Sequence, residues 1–248
     1  MLNNKVAIVY GAGRIGSAVA KAFVAAGAQV HLVNRTQAKL TAVAEEIQTA
    51  GGEVHTAVLD ALDPAAVRDH ADRVAAQAGR IDICFNLISH GDVQGTPLID
   101  MDVEDFLRPI DSISRSTFLT SQATARHMAA QGSGVILIFG GGGEPLRDYS
   151  MGGTLVAFEA QETMRRQLAC ELGPEGVRVI TIVTSGIPEA GAPDSVEAAD
   201  VPGFVDLSMI GKAATVDDVC KVAVFVASDQ ARMMTAATVN ISGGAVID

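Results

Sequence analysis

Short apolar runs alternate along the chain with stretches in which apolar residues recur every three or four positions. The first run, Val6 to Val9, is followed by Gly11, Gly13 and Gly16, and then by Ala18, Val19, Ala22 and Phe23 at helical spacing. Further short runs lie at Val30 to Val33, Val54 to Leu59, Ile81 to Phe85, Val135 to Phe139, Val177 to Val183 and Thr238 to Ile241. Between them, Leu40, Val43 and Ile47 share one helical face, and Val67, Ala71, Val74 and Ala78 another. Longer helices are predicted at about Val103 to Ala130, where Pro109 offers a break, then Thr154 to Leu172 and Val216 to Ala227. Repeated strand and helix units with near-continuous apolar strands predict an α/β fold, a doubly wound parallel sheet with helices on both faces.

The stretch Val6 to Ala20, VAIVYGAGRIGSAVA, reads as strand, tight turn and helix. In such a GxGxxG turn the first glycine makes the bend and the second lets backbone approach a pyrophosphate. The third lets the helix pack close, with free N–H groups aimed at the anion. A bare structural turn is the alternative. The one long irregular segment, 186–214, is rich in Pro, Ala and acidic residues and is long enough for a lid over a site. No linker or charge block divides residues 1–248, so one domain is expected.

Composition narrows the partners. A formal net charge of −11 argues against nucleic acid and against an anionic membrane surface, since either needs a basic face. The strand pattern starts almost at once, leaving no room for a charged leader with an apolar core, and a cytoplasmic location is expected. Cys84, Cys170 and Cys220 show no metal spacing, so they read as reduced core residues, and no metal site is predicted.

The chain resembles the short-chain dehydrogenase/reductase family over nearly its whole length. KVAIVYGAGRIGSAVAKAF at the start carries the resemblance, with RIDICFNLIS (80–89), CELGPEGVRVITIV (170–183) and VFVASDQARMMTAATVNISGG (224–244). The resemblance implies a single seven-stranded Rossmann domain, a nicotinamide dinucleotide across the strand ends, a small-molecule substrate, and a homotetramer or homodimer. The implied cofactor set is Gly11, Gly13, Arg14, Ile15 and Gly16 in the turn, then Asn34, Arg35, Thr36, Asp60, Ala61, Asn86 and Ile187. Asp60 resembles the family's adenine-contacting aspartate, and Asn86 the first asparagine of its Asn-Asn-Ala-Gly segment. After the second strand, Asn34 replaces the acidic residue that would accept from a ribose 2′-hydroxyl. Arg35 and Arg14 can flank a 2′-phosphate instead, so NADP is expected ahead of NAD. Solvated surface arginines are the alternative.

Two departures from the family stand out. GAGRIG is one residue shorter than the family's turn, and Tyr10 stands where a threonine is usual. More consequential for chemistry, the match at ELGPEGVRV places Thr154 at the family's tyrosine and Phe158 at its lysine, whereas pairing Tyr149-Ser150 with the family's Tyr-Ser places Gly153 at the lysine; the serine falls among Gly140 to Gly143 and the asparagine near Ile113. No lysine occurs between Lys39 and Lys212, so the absence is independent of register. General acid–base catalysis contributes about 10² to 10⁴ in rate, so a replacement acid is needed. Tyr149, His90 and Asp148 are the candidates. Tyr149 with no cation beside it should titrate near 10 (about its ordinary value) and be a poor acid. Asp111 and Glu162 are weaker, on helix faces toward solvent or another subunit. Gly140 to Gly143 read as a roomy pocket, an oxyanion nest or a plain turn. On the following helix, Val156, Ala160, Met164 and Leu168, with Leu155 and Phe158, read as a packing face.

The expected activity is NADP-dependent reduction of a carbonyl, imine or enoyl group. A non-redox dehydratase, isomerase or cyclase on the same scaffold, and an inactive NADP-binding partner protein, are the alternatives.

Overall fold

The structure is a computed structural model and describes residues 1–89, 91–141, 149–188 and 204–247. Seven parallel strands form one sheet in the order β3-β2-β1-β4-β5-β6-β7. They are β1 (Val6–Tyr10), β2 (Gln29–Asn34), β3 (Val54–Val58), β4 (Ile83–Asn86), β5 (Gly134–Gly141), β6 (Val177–Thr184) and β7 (Ala237–Asn240). The helices are α1 (Arg14–Ala25), α2 (Gln37–Thr49), α3 (Pro64–Ala78), α4 (Val103–Gln131), α5 (Thr154–Leu172), α6 (Phe204–Leu207) and α7 (Val216–Ala227). Every residue of β1 is buried, because β1 pairs with β2 on one side and β4 on the other and is covered on both faces. The chain winds outward in one direction from β1 to β3, then crosses back to β4. That reversal opens a crevice at the carboxyl ends of β1 and β4, where open α/β sheets bind ligands.

The alternation of side chains along the strands divides the core into two layers. Ala7, Val9, Val30 and Leu32 pack with Val19 and Phe23 of α1 and Val219, Ala223 and Val226 of α7. Val6, Ile8, Tyr10 and Val33 face the other way, with Val67 and Val74 of α3 and Met128 of α4. Local signals set the helix ends. Asp63 accepts from Ala65 N and Ala66 N ahead of Pro64 at the start of α3, which closes at Gly79 in the left-handed region. Thr215 and Asp218 form a capping box on α7.

Several expectations change. α4 runs unbroken through Pro109, which lies in its second turn, is buried, and packs close to Gly153. The inward face of α5 is Thr154, Ala157, Gln161, Arg165 and Ala169, whereas Val156 is 49% exposed. The face predicted from Val156, Ala160, Met164 and Leu168 is therefore rotated, because polar residues with internal partners occupy the sheet side. Cys84 and Cys220 are buried, but Cys170 is exposed on the outer face of α5. Gly140 and Gly141 are strand residues, paired with Val183 and Thr184 of β6. Of the segment 186–214, residues 189–203 lie outside the described residues, and 204–207 form the short helix α6.

Candidate active site

The glycine turn sits at the head of the crevice. Gly11, at φ +111°, passes so close to the chain after β4 that a Cβ would stand 2.3 Å from Leu87 O. A Cβ on Gly16 would stand 2.0 Å from Gly11 O, while one on Gly13 would meet nothing within 4 Å. The first and third glycines are thus demanded by the fold itself, and the second leaves open space over the start of α1. Gly13 caps α1 with no side-chain hydrogen bond, and its first turn carries no acidic residue. Helix amides that have no carbonyl four residues back favour an anion there. A dinucleotide's pyrophosphate fits this cradle.

Beneath the turn, Tyr10 is completely buried and its hydroxyl has no hydrogen-bond partner. Burial, with a smaller contribution from Cys84, pushes that hydroxyl well above the ordinary range. Its ring meets His70 edge-on at 6.3 Å.

At the far end of the crevice, Asn34 Oδ1 accepts from Thr36 N at 2.9 Å, so the side chain folds onto its own loop. Arg35 is 72% exposed, with Nη1 3.8 Å from the Asp60 carboxylate. Asp60 also accepts from Leu62 N at 3.0 Å. Arg14 and Thr36 are exposed, Ile15 is half-buried, and Ala61 and Ile187 are buried. Asn86 is 7% exposed. Its Nδ2 donates to Ser116 Oγ at 3.1 Å and Thr117 Oγ1 at 3.4 Å, and its Oδ1 accepts from Ile88 N at 3.1 Å.

Around the carboxyl end of β5, Phe158 lies against Gly141, where a Cβ would come within 2.5 Å of its ring. Thr154, one turn earlier on α5, is 2% exposed, and its hydroxyl has no hydrogen-bond partner among the described residues. Gln161 donates to Thr117 Oγ1 at 2.9 Å, while its Oε1 is buried without a partner. Ile113 is buried on α4.

Glu162 is not on a solvated face: it takes hydrogen bonds from Arg165 Nε at 3.0 Å and Thr238 Oγ1 at 2.9 Å. Burial raises its carboxyl, but the nearby Thr181 hydroxyl, Arg165 and Thr238 outweigh that and hold it below the ordinary range. Asp111 is exposed and paired with Arg115 at 2.8 Å.

Tyr149 is half-buried and donates to Gln94 Oε1 at 2.9 Å, and Gln94 in turn donates to Asp92. Neither Asp92 nor Gln94 stood out in the sequence. The only signal was two polar residues, two apart, on the loop after β4. His90 and Asp148 lie outside the described residues. Among the described residues, no group of three His, Cys, Asp or Glu could hold a metal ion, and no helix is long and apolar enough to cross a membrane.

A crevice at the strand reversal, headed by a glycine turn on a helix start, defines a Rossmann-like α/β fold of the kind that binds dinucleotides. A family model described as enoyl-(acyl carrier protein) reductase matches residues 11–246. D-threitol dehydrogenase of Mycolicibacterium smegmatis is 32% identical over 99% of this chain and 94% of its own length. A short-chain dehydrogenase/reductase from Serratia marcescens superposes with a TM-score of 0.85 at 27% identity, covering 99% of each chain. A 7α-hydroxysteroid dehydrogenase solved with NADH and 7-oxo glycochenodeoxycholic acid has a TM-score of 0.83 at 26% identity, covering 100% of this chain and 96% of that one. The chain belongs to the short-chain dehydrogenase/reductase family, a family of oxidoreductases that use nicotinamide cofactors.

Proposed function

We propose that this chain is an NADP(H)-dependent reductase of a small or medium organic carbonyl, imine or enoyl group, with a proton donor unlike its family's. The cofactor, when bound, supplies a hydride to the acceptor carbon. Gly11, Gly13 and Gly16 let its pyrophosphate approach, with Ile15 beside them. Asn34 brings no charge to the adenosine ribose, and Arg35, with Arg14, offers positive charge to a 2′-phosphate. Arg35 in the present geometry leans on Asp60, a contact that a phosphate would compete for. Thr36, Ala61, Asn86 and Ile187 are proposed as further cofactor contacts.

The family's four catalytic roles are read as vacant, with Thr154 and Phe158 at the tyrosine and lysine, the serine position among Gly140 to Gly143 and the asparagine position near Ile113. The observation that carries the reading of Tyr149 as the donor is its hydroxyl, half-buried and held by Gln94 on the segment entering α5. His90, just past β4 in sequence, and Asp148, beside Tyr149 in sequence, are the alternative proton donors. Residues 186–214 are proposed as a lid, and the assembly as a homodimer or homotetramer in the cytoplasm.

The test is turnover with NADPH against a panel of carbonyl, imine and enoyl compounds. Tyr149→Phe is expected to lower the rate by about 10²-fold, the lower end of what a general acid supplies. Turnover at the full rate in Tyr149→Phe removes it from the chemistry.

A further inference from the structure

Two loops meet at Tyr149. Besides the hydrogen bond to Gln94, Gly95 N donates to Ser150 O at 2.8 Å. Gly152, at φ +55°, runs so close to Val93 that a Cβ would stand 2.6 Å from its carbonyl oxygen. The backbone thus fixes the spacing between Gln94 and the phenol. A carboxamide has a donor end and an acceptor end, and either can face a hydroxyl. Asp92 removes that choice, because an ionised carboxylate only accepts. The amide nitrogen faces Asp92, the amide oxygen faces Tyr149, and the phenol is left to donate.

We propose that Asp92 and Gln94 are positioning residues for Tyr149, the carboxylate fixing the carboxamide and the carboxamide fixing the phenolic hydroxyl. The proposal deepens the function above and rests on its reading of Tyr149. A hydrogen bond given by the neutral phenol favours the neutral form, and the negative charge of Asp92 behind it acts in the same direction. By resemblance, the family's lysine does the opposite to its tyrosine.

Tyr149 held in this way keeps its proton at neutral pH until an acceptor oxygen gains negative charge, as it does in reduction. As a hydride adds to the carbonyl carbon, the carbon–oxygen π pair moves to oxygen and takes the Tyr149 proton. Solvent then returns a proton to the phenolate. The substrate of this step is a hydride acceptor such as a ketone or aldehyde.

The chain has two tyrosines and no tryptophan, and Tyr10 is buried with its hydroxyl far out of range. In an alkaline titration of the whole protein, tyrosinate absorbance therefore reports Tyr149 while circular dichroism shows the fold intact. Unfolding brings in the second tyrosine and doubles the amplitude. Gln94→Ala is expected to lower the Tyr149 midpoint by about one pH unit, and Asp92→Asn to lower it by less. Asp92→Asn with Gln94→Glu keeps a donor followed by an acceptor, and should restore the high midpoint. A midpoint unmoved by Gln94→Ala, or a one-tyrosine transition that persists in Tyr149→Phe, overturns the proposal. This readout needs no substrate, so a failed relay and a failed assignment of Tyr149 to turnover are told apart.

Discussion

Phe158 and Gly141 constrain each other. The ring occupies the space that any side chain at 141 would need. Gly141→Ala should destabilise the protein by about 1–3 kcal/mol, the usual cost of overpacking, read from the urea midpoint. Phe158→Leu added to it should recover part of that loss, because the clashing ring is gone. Equal stability of Gly141→Ala and the parent would show that the ring moves aside freely. The glycines at 140 and 141 were legible in the sequence as missing side chains, but what fills the space was not. That depends on α5 crossing β5 at Phe158, which no local pattern encodes.

Among the elements, strands were the most legible because a fully buried strand is apolar from end to end, as β1 is. The inner face of α5 was misread for the converse reason. Gln161 and Arg165 are polar yet buried, Gln161 satisfied in part by Thr117 of α4 and Arg165 by Glu162 on its own helix. Asp92 and Gln94 escaped notice likewise, since a relay between loops exists only once Gly95 and Ser150 are joined.

A second buried polar group joins β2, β3 and α3. His31 stacks on His55 at 4.7 Å and meets His70 edge-on at 6.4 Å. Burial first, then the neighbouring His55, lowers His31 from 6.5 to about 4. Burial, His31 and Arg73 in that order lower His70 from 6.5 to about 4. Both are neutral in the fold. As pH falls from 6.5 toward 4, the unfolded chain gains protons that the folded chain does not, and stability is lost across that window. One such group is worth at most about 3 kcal/mol, and two that interact add less than their sum. Unfolding midpoints measured across the window should fall less steeply in His70→Leu than in the parent. Identical slopes would mean that His70 is not neutral and buried in the native state.

At the scale of the whole molecule, the two halves of the sheet meet where Gly11 passes Leu87, so the nucleotide crevice and the core share one close contact. Seven parallel strands and the glycine turn were implied by the sequence and its family resemblance, and the order of the strands comes from the structure. The chemistry was less legible, because the contacts that hold Tyr149 and Glu162 come from residues distant in sequence. The proposed function therefore rests first on the nucleotide site. Its most direct measurement is calorimetric titration of the purified chain with NADPH and with NADH, repeated on Arg35→Ala. NADPH should bind more tightly than NADH. Loss of Arg35 should weaken NADPH by about tenfold, equal to about 1.4 kcal/mol, and leave NADH nearly unchanged. Absence of binding by either nucleotide, or tighter binding of NADH, would contradict the account.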